Sequence, residues 1–141
     1  MVNSIESLLE REEGRVTYAY QDHLGYWTIG VGTLIDKRKG GGLRKEEIDF
    51  ILTNRIKLIT KDIMEALPWA RNLTEPRLAV LQSMAFQMGI SGLLKFKNTL
   101  EFVRKGEYET AANGMLASLW AKQTPSRAKR LAEQMAKGKW K

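Results

Sequence analysis

The sequence predicts an α+β fold, in which a small N-terminal lobe with a short antiparallel sheet is joined by a long helix to a helical C-terminal lobe. Three observations predict it. Alternating apolar residues, typical of strands, are confined to residues 16–35. Helical spacing of apolar residues runs unbroken over residues 44–67, and the segments beyond Pro68 have helical patterns too. With 141 residues, we expect one folding unit with a shared core.

The N-terminal residues predict a short amphipathic helix followed by a small sheet. Asn3 is a suitable N-cap and Gly14 a suitable stop, with an apolar stripe between them at Ile5, Leu8 and Leu9. Alternation then runs through residues 16–20 and 27–31, on either side of a polar turn. The pattern is typical of a hairpin, or of part of a three-stranded sheet.

The rest of the chain is predicted to be helical. One long helix over residues 44–67 ends at Pro68 and is long enough to connect a β-containing lobe to a helical one. Further helices are expected from their start and stop residues, over 74–89, 99–106, 107–119 and 125–137. The segment Leu78–Met88 is apolar nearly all round, which is typical of a helix buried within a bundle.

Composition and net charge limit the classes of protein to which this chain can belong. Hydrophobic residues make up 43% of the chain and charged residues 28%, which is typical of a globular protein. The formal net charge of +7 attracts polyanions such as nucleic acid, an anionic membrane or an acidic cell-wall polymer, and does not choose among them. There is no cysteine, which excludes disulfides and thiol catalysis. The single histidine, His23, has no second ligand or triad partner, so we expect neither a metal nor a cofactor.

Two carboxylates stand where the first helix meets the sheet. Glu13 lies in the last turn of the predicted helix, where unsatisfied carbonyls disfavour a negative charge, and Asp22 lies in a polar turn that water can reach. A helix end and a strand turn can hold two acids apart across a cleft, as glycosidic bond cleavage requires. The alternative is that both are solvated surface acids, and spacing alone does not decide between these readings.

Five stretches of sequence, occurring in the same order, resemble the T-even-phage type of lysozyme, a family of endolysins. They are Glu13–Gly14, Tyr20–Asp22, Gly25–Gly32, Phe86–Gly89 and Trp120–Arg130. The resemblance covers nearly the whole chain. It implies a single lysozyme-like domain over residues 1–141, with its β-containing lobe at about 14–43, its connecting helix at 44–67, and its helical lobe made of 68–141 and 3–13.

The function that the resemblance implies is that of a muramidase, a glycoside hydrolase that cleaves the β-1,4 bond between N-acetylmuramic acid and N-acetylglucosamine in peptidoglycan. The family's acid falls on Glu13, its second carboxylate on Asp22 and its catalytic-site threonine on Thr28. The family is similar to inverting enzymes, in which a water attacks the face opposite the leaving group. Asp22 and Thr28 would orient that water while Glu13 protonates the departing oxygen. Read by itself, Thr28 is an ordinary β-branched strand residue.

The family also suggests a substrate cleft between the lobes. Leu34 and Phe86 match saccharide-contacting positions on its two sides, although as isolated apolar residues they are expected in the core. Thr99 and Gly114 stand where another member has different polar residues that contact sugar. Arg127 matches an arginine that pairs across the cleft with the catalytic glutamate. These matches predict the substrate-binding residues.

Three further positions bear on stability in this resemblance. Gln87 and Trp120 match a polar contact inside the helical lobe. Thr33 stands where family members often carry histidine, so an ion pair anchored on that histidine cannot form here. The departure removes a stabilising feature and leaves the proposed chemistry intact.

Three other functions remain open at this point. A nucleic-acid-binding module would suit the basic charge, but we find no helix-turn-helix, zinc-ligand or RNA-binding motif, so we expect no nucleic-acid partner. A basic amphipathic C-terminal helix, Arg127–Lys141, could contact membranes without catalysis. A wall-binding protein that has lost activity is disfavoured by the presence of Glu13, Asp22 and Thr28.

Partners and location follow from the same resemblance. The N-terminal residues lack the features of a signal peptide, and no run of about 18 apolar residues occurs. We therefore expect a monomer that stays in the host cytoplasm until a holin opens the membrane, and that then meets peptidoglycan in the periplasm or cell wall.

Overall fold

The predicted α+β fold is confirmed by a computed structural model, which describes residues 2–21, 24–30, 33–34 and 42–141, and only the backbone of Glu13, Tyr18 and Leu34. Its elements are α1 (Ile5–Glu13), β1 (Val16–Gln21), β2 (Trp27–Gly30), β3 (Thr33–Leu34), α2 (Lys45–Ala66), a 3₁₀ helix (Pro68–Asn72), α3 (Glu75–Leu94), α4 (Lys97–Arg104), α5 (Tyr108–Leu116), α6 (Leu119–Gln123) and α7 (Pro125–Lys137). The chain divides within α2 into two compact units, which we call the sheet unit (Met1–Leu52) and the helical unit (Thr53–Lys141). The assignment of residues 3–13 to a helical lobe stays a prediction.

Helix α1 begins one residue later than its predicted cap. Ser4, not Asn3, is the N-cap, and its hydroxyl accepts a hydrogen bond from the backbone N–H of Ser7 at 3.1 Å. The Ser7 hydroxyl accepts in return from the N–H of Ser4 at 3.1 Å, so two N–H groups of the first turn are satisfied reciprocally. Gly14 ends the helix as predicted, with φ of 77°, a value that glycine adopts at little cost.

The sheet has three antiparallel strands in the order β1-β2-β3. Thr28 of β2 lies in register with Tyr20 of β1 on one side and with Leu34 of β3 on the other. The register of β1 and β2 shifts between Val16 and Tyr20, which marks an irregularity in the first strand. The three-stranded alternative that the sequence left open is therefore the correct one.

The core of the helical unit is built from apolar side chains of all its helices. Its largest fully buried side chains are Ile63, Val80, Leu81, Met84, Leu93, Val103, Met115 and Met135. Burial of each such side chain contributes about 1.5–3 kcal/mol, so this core is the main source of stability for the unit. A hydrogen bond from Gln82 Nε2 to Thr60 Oγ1, 2.9 Å long, joins α3 to the C-terminal half of α2.

Three helix boundaries differ from the predicted ones. Gly89 interrupts the helix as expected, with φ of 78° and ψ of 164°, but helical backbone resumes beyond it to Leu94. Helix α4 begins at Lys97, so Thr99 lies inside it and does not open it. The helix expected over 107–119 ends at Leu116, and Ser118 caps a separate short helix, α6, that was not predicted, by accepting from the N–H of Ala121 at 3.2 Å.

Helix α7 has the predicted bounds. Pro125 occupies its first turn, where a missing N–H costs nothing, and Gly138 ends it in the left-handed conformation with φ of 68°. Its apolar residues Ala128, Ala132 and Met135 are 2% exposed or less and face the core. Within the described ranges, no helix is long and apolar enough to span a bilayer.

Candidate active site

Thr28 lies in the central strand of the sheet. Its surface is 4% exposed, and its Oγ1 donates a hydrogen bond to the carbonyl oxygen of Tyr26 at 3.2 Å. The hydroxyl proton is therefore directed at the backbone, and the oxygen lone pairs remain available to accept. The strand position is confirmed, while the catalytic role of Thr28 stays a prediction.

Glu13 is the last residue of α1, immediately before Gly14, whose φ is 77°. This confirms that its backbone is at a helix C-terminus, where the exposed carbonyls disfavour an added negative charge. Neither its side chain nor any part of Asp22 belongs to the described residues, and the same holds for His23. The separation of the two carboxylates therefore stays a prediction.

Ion pairs flank the turn at Gly14. Arg15 pairs with Glu10, so that one contact joins the end of α1 to the start of β1. The hydrogen bond that Arg15 donates to Glu10 is the main reason why the pKa of Arg15 is raised above its ordinary value. Arg11 pairs with Glu12 at 2.6 Å. Because these pairs are exposed, they fix side-chain direction more than they add stability.

Arg127 is held by α3. Its Nη2 donates to the carbonyl oxygen of Ser83 at 3.1 Å and to the Ser83 hydroxyl at 2.9 Å. Arg127 lies on α7 and is partly buried, beside the fully buried Ala128. The two helices thus fix one side of the guanidinium by charge-assisted hydrogen bonds.

Phe86 and Gln87 follow Ser83 by three and four residues, so the three side chains share one face of α3. Phe86 is 46% exposed, and the expectation that it is a core residue is therefore wrong. The segment Leu78–Met88 is buried along one stripe only, because Phe86 and Gln87 point away from it. The predicted contact of Gln87 is confirmed, since Trp120 Nε1 donates to Gln87 Oε1 at 2.9 Å.

The structure brings two other predicted substrate residues together. Thr99 of α4 is 8% exposed, and Gly114 of α5 is partly buried next to it. A Cβ added at Gly114 would stand 2.7 Å from Thr99 Oγ1. The two positions form one tight contact between helices, and their contact with sugar stays a prediction. The position of Leu34 is described by its backbone alone, beside Thr28.

The contact of Ser83 with Arg127 was not predicted from the sequence. The place of Ser83 one helical turn before Phe86 and Gln87 was the available signal, because residues three and four apart share a helix face. Elsewhere in the described part of the chain, no group of three or more His, Asp or Glu side chains could hold a metal ion.

A comparison with protein families identifies the chain. The model of the phage lysozyme family matches residues 10–137, a range that contains every predicted site residue from Glu13 to Arg127. The chain belongs to the phage lysozyme family. This confirms the resemblance inferred from the sequence motifs, and it makes the chain a lysozyme-type glycoside hydrolase.

The chain is also similar to proteins of Dictyostelium discoideum and of two phages. It is 29% identical over 164 residues to "Probable T4-type lysozyme 1" of Dictyostelium discoideum, covering 98% of this chain and 96% of that protein. It is 29% identical over 153 residues to "Pre-baseplate central spike protein Gp5" of Enterobacteria phage T4, covering 91% of this chain and 27% of that protein. It is 28% identical over 114 residues to "Peptidoglycan hydrolase gp36" of Pseudomonas phage phiKMV, covering 81% of this chain and 12% of that protein. The matched stretch is thus nearly the whole of the Dictyostelium protein and only a part of the two phage proteins.

Proposed function

We propose that this protein is a muramidase that hydrolyses the β-1,4 bond between N-acetylmuramic acid and N-acetylglucosamine in bacterial peptidoglycan. The observation that carries the proposal is the family match over residues 10–137. The name of the phiKMV relative, a peptidoglycan hydrolase, supports the same substrate.

The proposed reaction inverts the anomeric carbon. Glu13 gives its proton to the departing glycosidic oxygen while a water attacks the opposite face of the sugar and loses a proton to Asp22. Inversion requires the two carboxyl groups to stand about 6.5–9.5 Å apart, so that the water fits between them. The position of Glu13 at a helix C-terminus supports its role as the acid, because that position disfavours the ionised form.

The Thr28 hydroxyl oxygen would orient the attacking water by accepting a hydrogen bond from it. Its own proton is directed at the carbonyl of Tyr26, so a water beside it must donate to the Thr28 oxygen. Such a water donates one hydrogen bond to Thr28 and the other to Asp22, to which it loses a single proton as it attacks, and its lone pair is left to face the anomeric carbon. This division of hydrogen bonds fixes the direction of attack.

The substrate contacts are proposed on the matched positions Leu34, Phe86, Thr99 and Gly114. Phe86 has the strongest support, since 46% of its surface is exposed and an aromatic ring can pack on the apolar face of a sugar. Arg127 is proposed to pair with Glu13, and its hydrogen bonds to Ser83 favour a fixed position for the guanidinium.

Release to the wall is proposed to follow the endolysin route, in which a monomer waits in the host cytoplasm until a holin opens the membrane. Membrane contact through the basic C-terminal helix would have to use its polar face, because Ala128, Ala132 and Met135 are buried in the core. This burial favours catalysis over membrane insertion as the main activity.

Replacement of the acid tests the proposal. We expect Glu13→Gln to lower the release of reducing ends from purified peptidoglycan by at least about 100-fold, since general acid catalysis contributes about 10²–10⁴-fold. Glu12→Gln is the matched control, because it removes one charge from the neighbouring exposed residue and should keep wild-type activity. Circular dichroism and urea unfolding would establish that both variants fold. Wild-type turnover in Glu13→Gln would reject Glu13 as the acid.

The stereochemistry has its own test. Proton NMR of the first products from a defined muropeptide chain should show the α-anomer, because an inverting enzyme converts a β bond into an α product. A β-anomer as first product would reject inversion while leaving the muramidase activity in place.

A further inference from the structure

We propose that Ser83 is a positioning residue for the reaction, because it holds the Arg127 guanidinium through two hydrogen bonds. The inference rests on the proposed function, in which Arg127 pairs with Glu13. Ser83 itself would touch neither the sugar nor the carboxylates, and would act only through Arg127.

The geometry of the contact supports this role. Both bonds end on Nη2 of Arg127, at 3.1 Å from the Ser83 carbonyl oxygen and 2.9 Å from its hydroxyl. A guanidinium has five N–H donors, so those on Nη1 and Nε remain for a carboxylate. Ser83 therefore leaves Nη1 and Nε for single hydrogen bonds to an acid, and it occupies Nη2, the nitrogen common to both bidentate modes of carboxylate binding.

Ser83 and Arg127 both lie on helices that pack in the core. Met84 and Ala85, which follow Ser83, are each 1% exposed, and Ala128, which follows Arg127, is fully buried. A free arginine side chain samples many rotamers, and fixing its head group in advance removes an entropic cost from each productive encounter. An anchor on a rigid helix supplies that preorganisation.

The anchor also lies on a functional face of α3. Phe86, the best supported of the proposed sugar contacts, is one helical turn from Ser83 and is 46% exposed. Two positions proposed for the site from the family resemblance, Phe86 and Arg127, thus lie at the same face of this helix. The alternative is that the contact only ties α3 to α7, in which case its loss would lower stability and leave catalysis unchanged.

A comparison of two isosteric variants separates these roles. Ser83→Thr keeps a hydroxyl, whereas Ser83→Val has the same shape without it. We expect Ser83→Val to lower kcat on soluble uncrosslinked peptidoglycan chains by about 3- to 10-fold with KM within about twofold of wild type, since small losses of alignment have large effects on rate. Ser83→Thr should restore kcat to within about twofold of wild type. Ser91→Ala, at an exposed serine further along α3, is the control and should not change kcat.

A double-variant cycle with Arg127→Gln tests whether Ser83 acts through the arginine. Arg127→Gln should lower kcat at least as much as Ser83→Val, and combining the two should cost no more than Arg127→Gln alone. All kinetics are to be measured at a temperature where urea unfolding shows each variant to be folded. If Ser83→Val destabilises too far for this, Ser83→Ala replaces it in the cycle.

The outcomes distinguish this inference from the proposed function. Wild-type kcat in Ser83→Val together with an impaired Arg127→Gln would overturn the role of Ser83 alone. Losses that multiply in the double variant would also overturn it, because they show that Ser83 acts independently of Arg127. Wild-type kcat in Arg127→Gln would remove the proposed pairing with Glu13 and the inference with it, whereas full activity in Glu13→Gln would overturn the proposed mechanism itself.

Discussion

Thr99 and Gly114 pack so closely that the hydroxyl of the threonine fills the place of a side chain on the glycine. A Cβ at Gly114 would lie 2.7 Å from Thr99 Oγ1, closer than van der Waals contact permits. Gly114 lies inside helix α5, where glycine is less favourable than alanine by about 1 kcal/mol. The close approach of α4 and α5 therefore explains the use of glycine at this position.

The contact predicts that the effects of substitution at these two positions are coupled. Gly114→Ala should fail to stabilise the wild-type chain, because a β-branched threonine in a helix has few other rotamers to adopt. In a Thr99→Ala background the same change should raise the free energy of unfolding by about 0.5–1 kcal/mol, as helix propensity alone would give. Urea unfolding of the four proteins measures the coupling. Effects that add within about 0.5 kcal/mol would contradict it.

The hydrogen bond between Trp120 and Gln87 predicts a second effect of substitution on the free energy of unfolding. Trp120 is 8% exposed, and its indole N–H donates to Gln87 at 2.9 Å. Gln87→Met would leave that N–H without its acceptor and should lower the free energy of unfolding by about 1–3 kcal/mol. In a Trp120→Phe background, where no donor exists, the same change should cost much less. If urea unfolding shows that Gln87→Met lowers the free energy of unfolding equally in both backgrounds, then packing of the Gln87 methylene groups matters more than the hydrogen bond.

The capping residues decide how well the helices can be predicted. Helix α7 is predictable to the residue because Pro125 and Gly138 mark its two ends. Helix α4 is not, since its N-cap is Phe96, which has no side-chain hydrogen-bonding atom and gives no start signal. The cap at Ser118 is a standard one, but it falls inside a continuous apolar pattern and so escapes a reading based on periodicity.

Candidate site residues can be proposed from the sequence only where they belong to short motifs. Glu13, Thr28, Phe86 and Arg127 lie in such motifs, and the match of the family model covers all of them. The contact of Arg127 with Ser83 joins residues 44 positions apart, and no local pattern encodes such a tertiary pairing. The exposure of Phe86 likewise depends on how α3 packs, because the hydrophobicity of a residue alone favours burial.

The contacts of Arg77 hold the C-terminal end of α7 in place. Its guanidinium lies 3.6 Å from the centroid of the Tyr108 ring, and it donates to the carbonyl oxygens of Met135 at 2.8 Å and Ala136 at 3.0 Å. These carbonyls belong to the last turn of α7, where no intrahelical partner exists. The arginine therefore caps the helix and stacks on the tyrosine at the same time.

Replacement of Arg77 tests this double role. Arg77→Met should lower the free energy of unfolding by about 2 kcal/mol and increase hydrogen exchange in the last turn of α7, because charge-assisted bonds and stacking are both lost. Arg77→Lys should recover less than half of the loss, since an ammonium cannot stack and bond to two carbonyls as a planar guanidinium does. If Arg77→Lys is as stable as wild type, charge alone accounts for the contact.

The ion pairs of Glu133 predict that the free energy of unfolding depends on pH. Its carboxylate bonds to Lys137 Nζ at 3.0 Å and to Lys141 Nζ at 3.2 Å. These bonds, first that of Lys137 and then that of Lys141, hold the pKa of Glu133 below its ordinary value. Because the pKa is lower in the folded state than in the unfolded state, the stabilisation is present above the unfolded value of about 4.3 and is lost as the pH falls through the folded value.

A carboxylate titration by NMR measures this effect at Glu133. We expect a midpoint below about 4.3 in the wild type, a larger rise of that midpoint in Lys137→Ala than in Lys141→Ala, and no change in the control Lys139→Ala, whose side chain is exposed nearby. The unfolding free energy of Glu133→Gln should also fall less than that of the wild type between pH 6 and pH 3, because the variant has no proton to take up at this position. A midpoint that Lys137→Ala leaves in place would mean that the ion pair with Lys137 does not persist in solution and does not help to hold the C-terminal turn of α7.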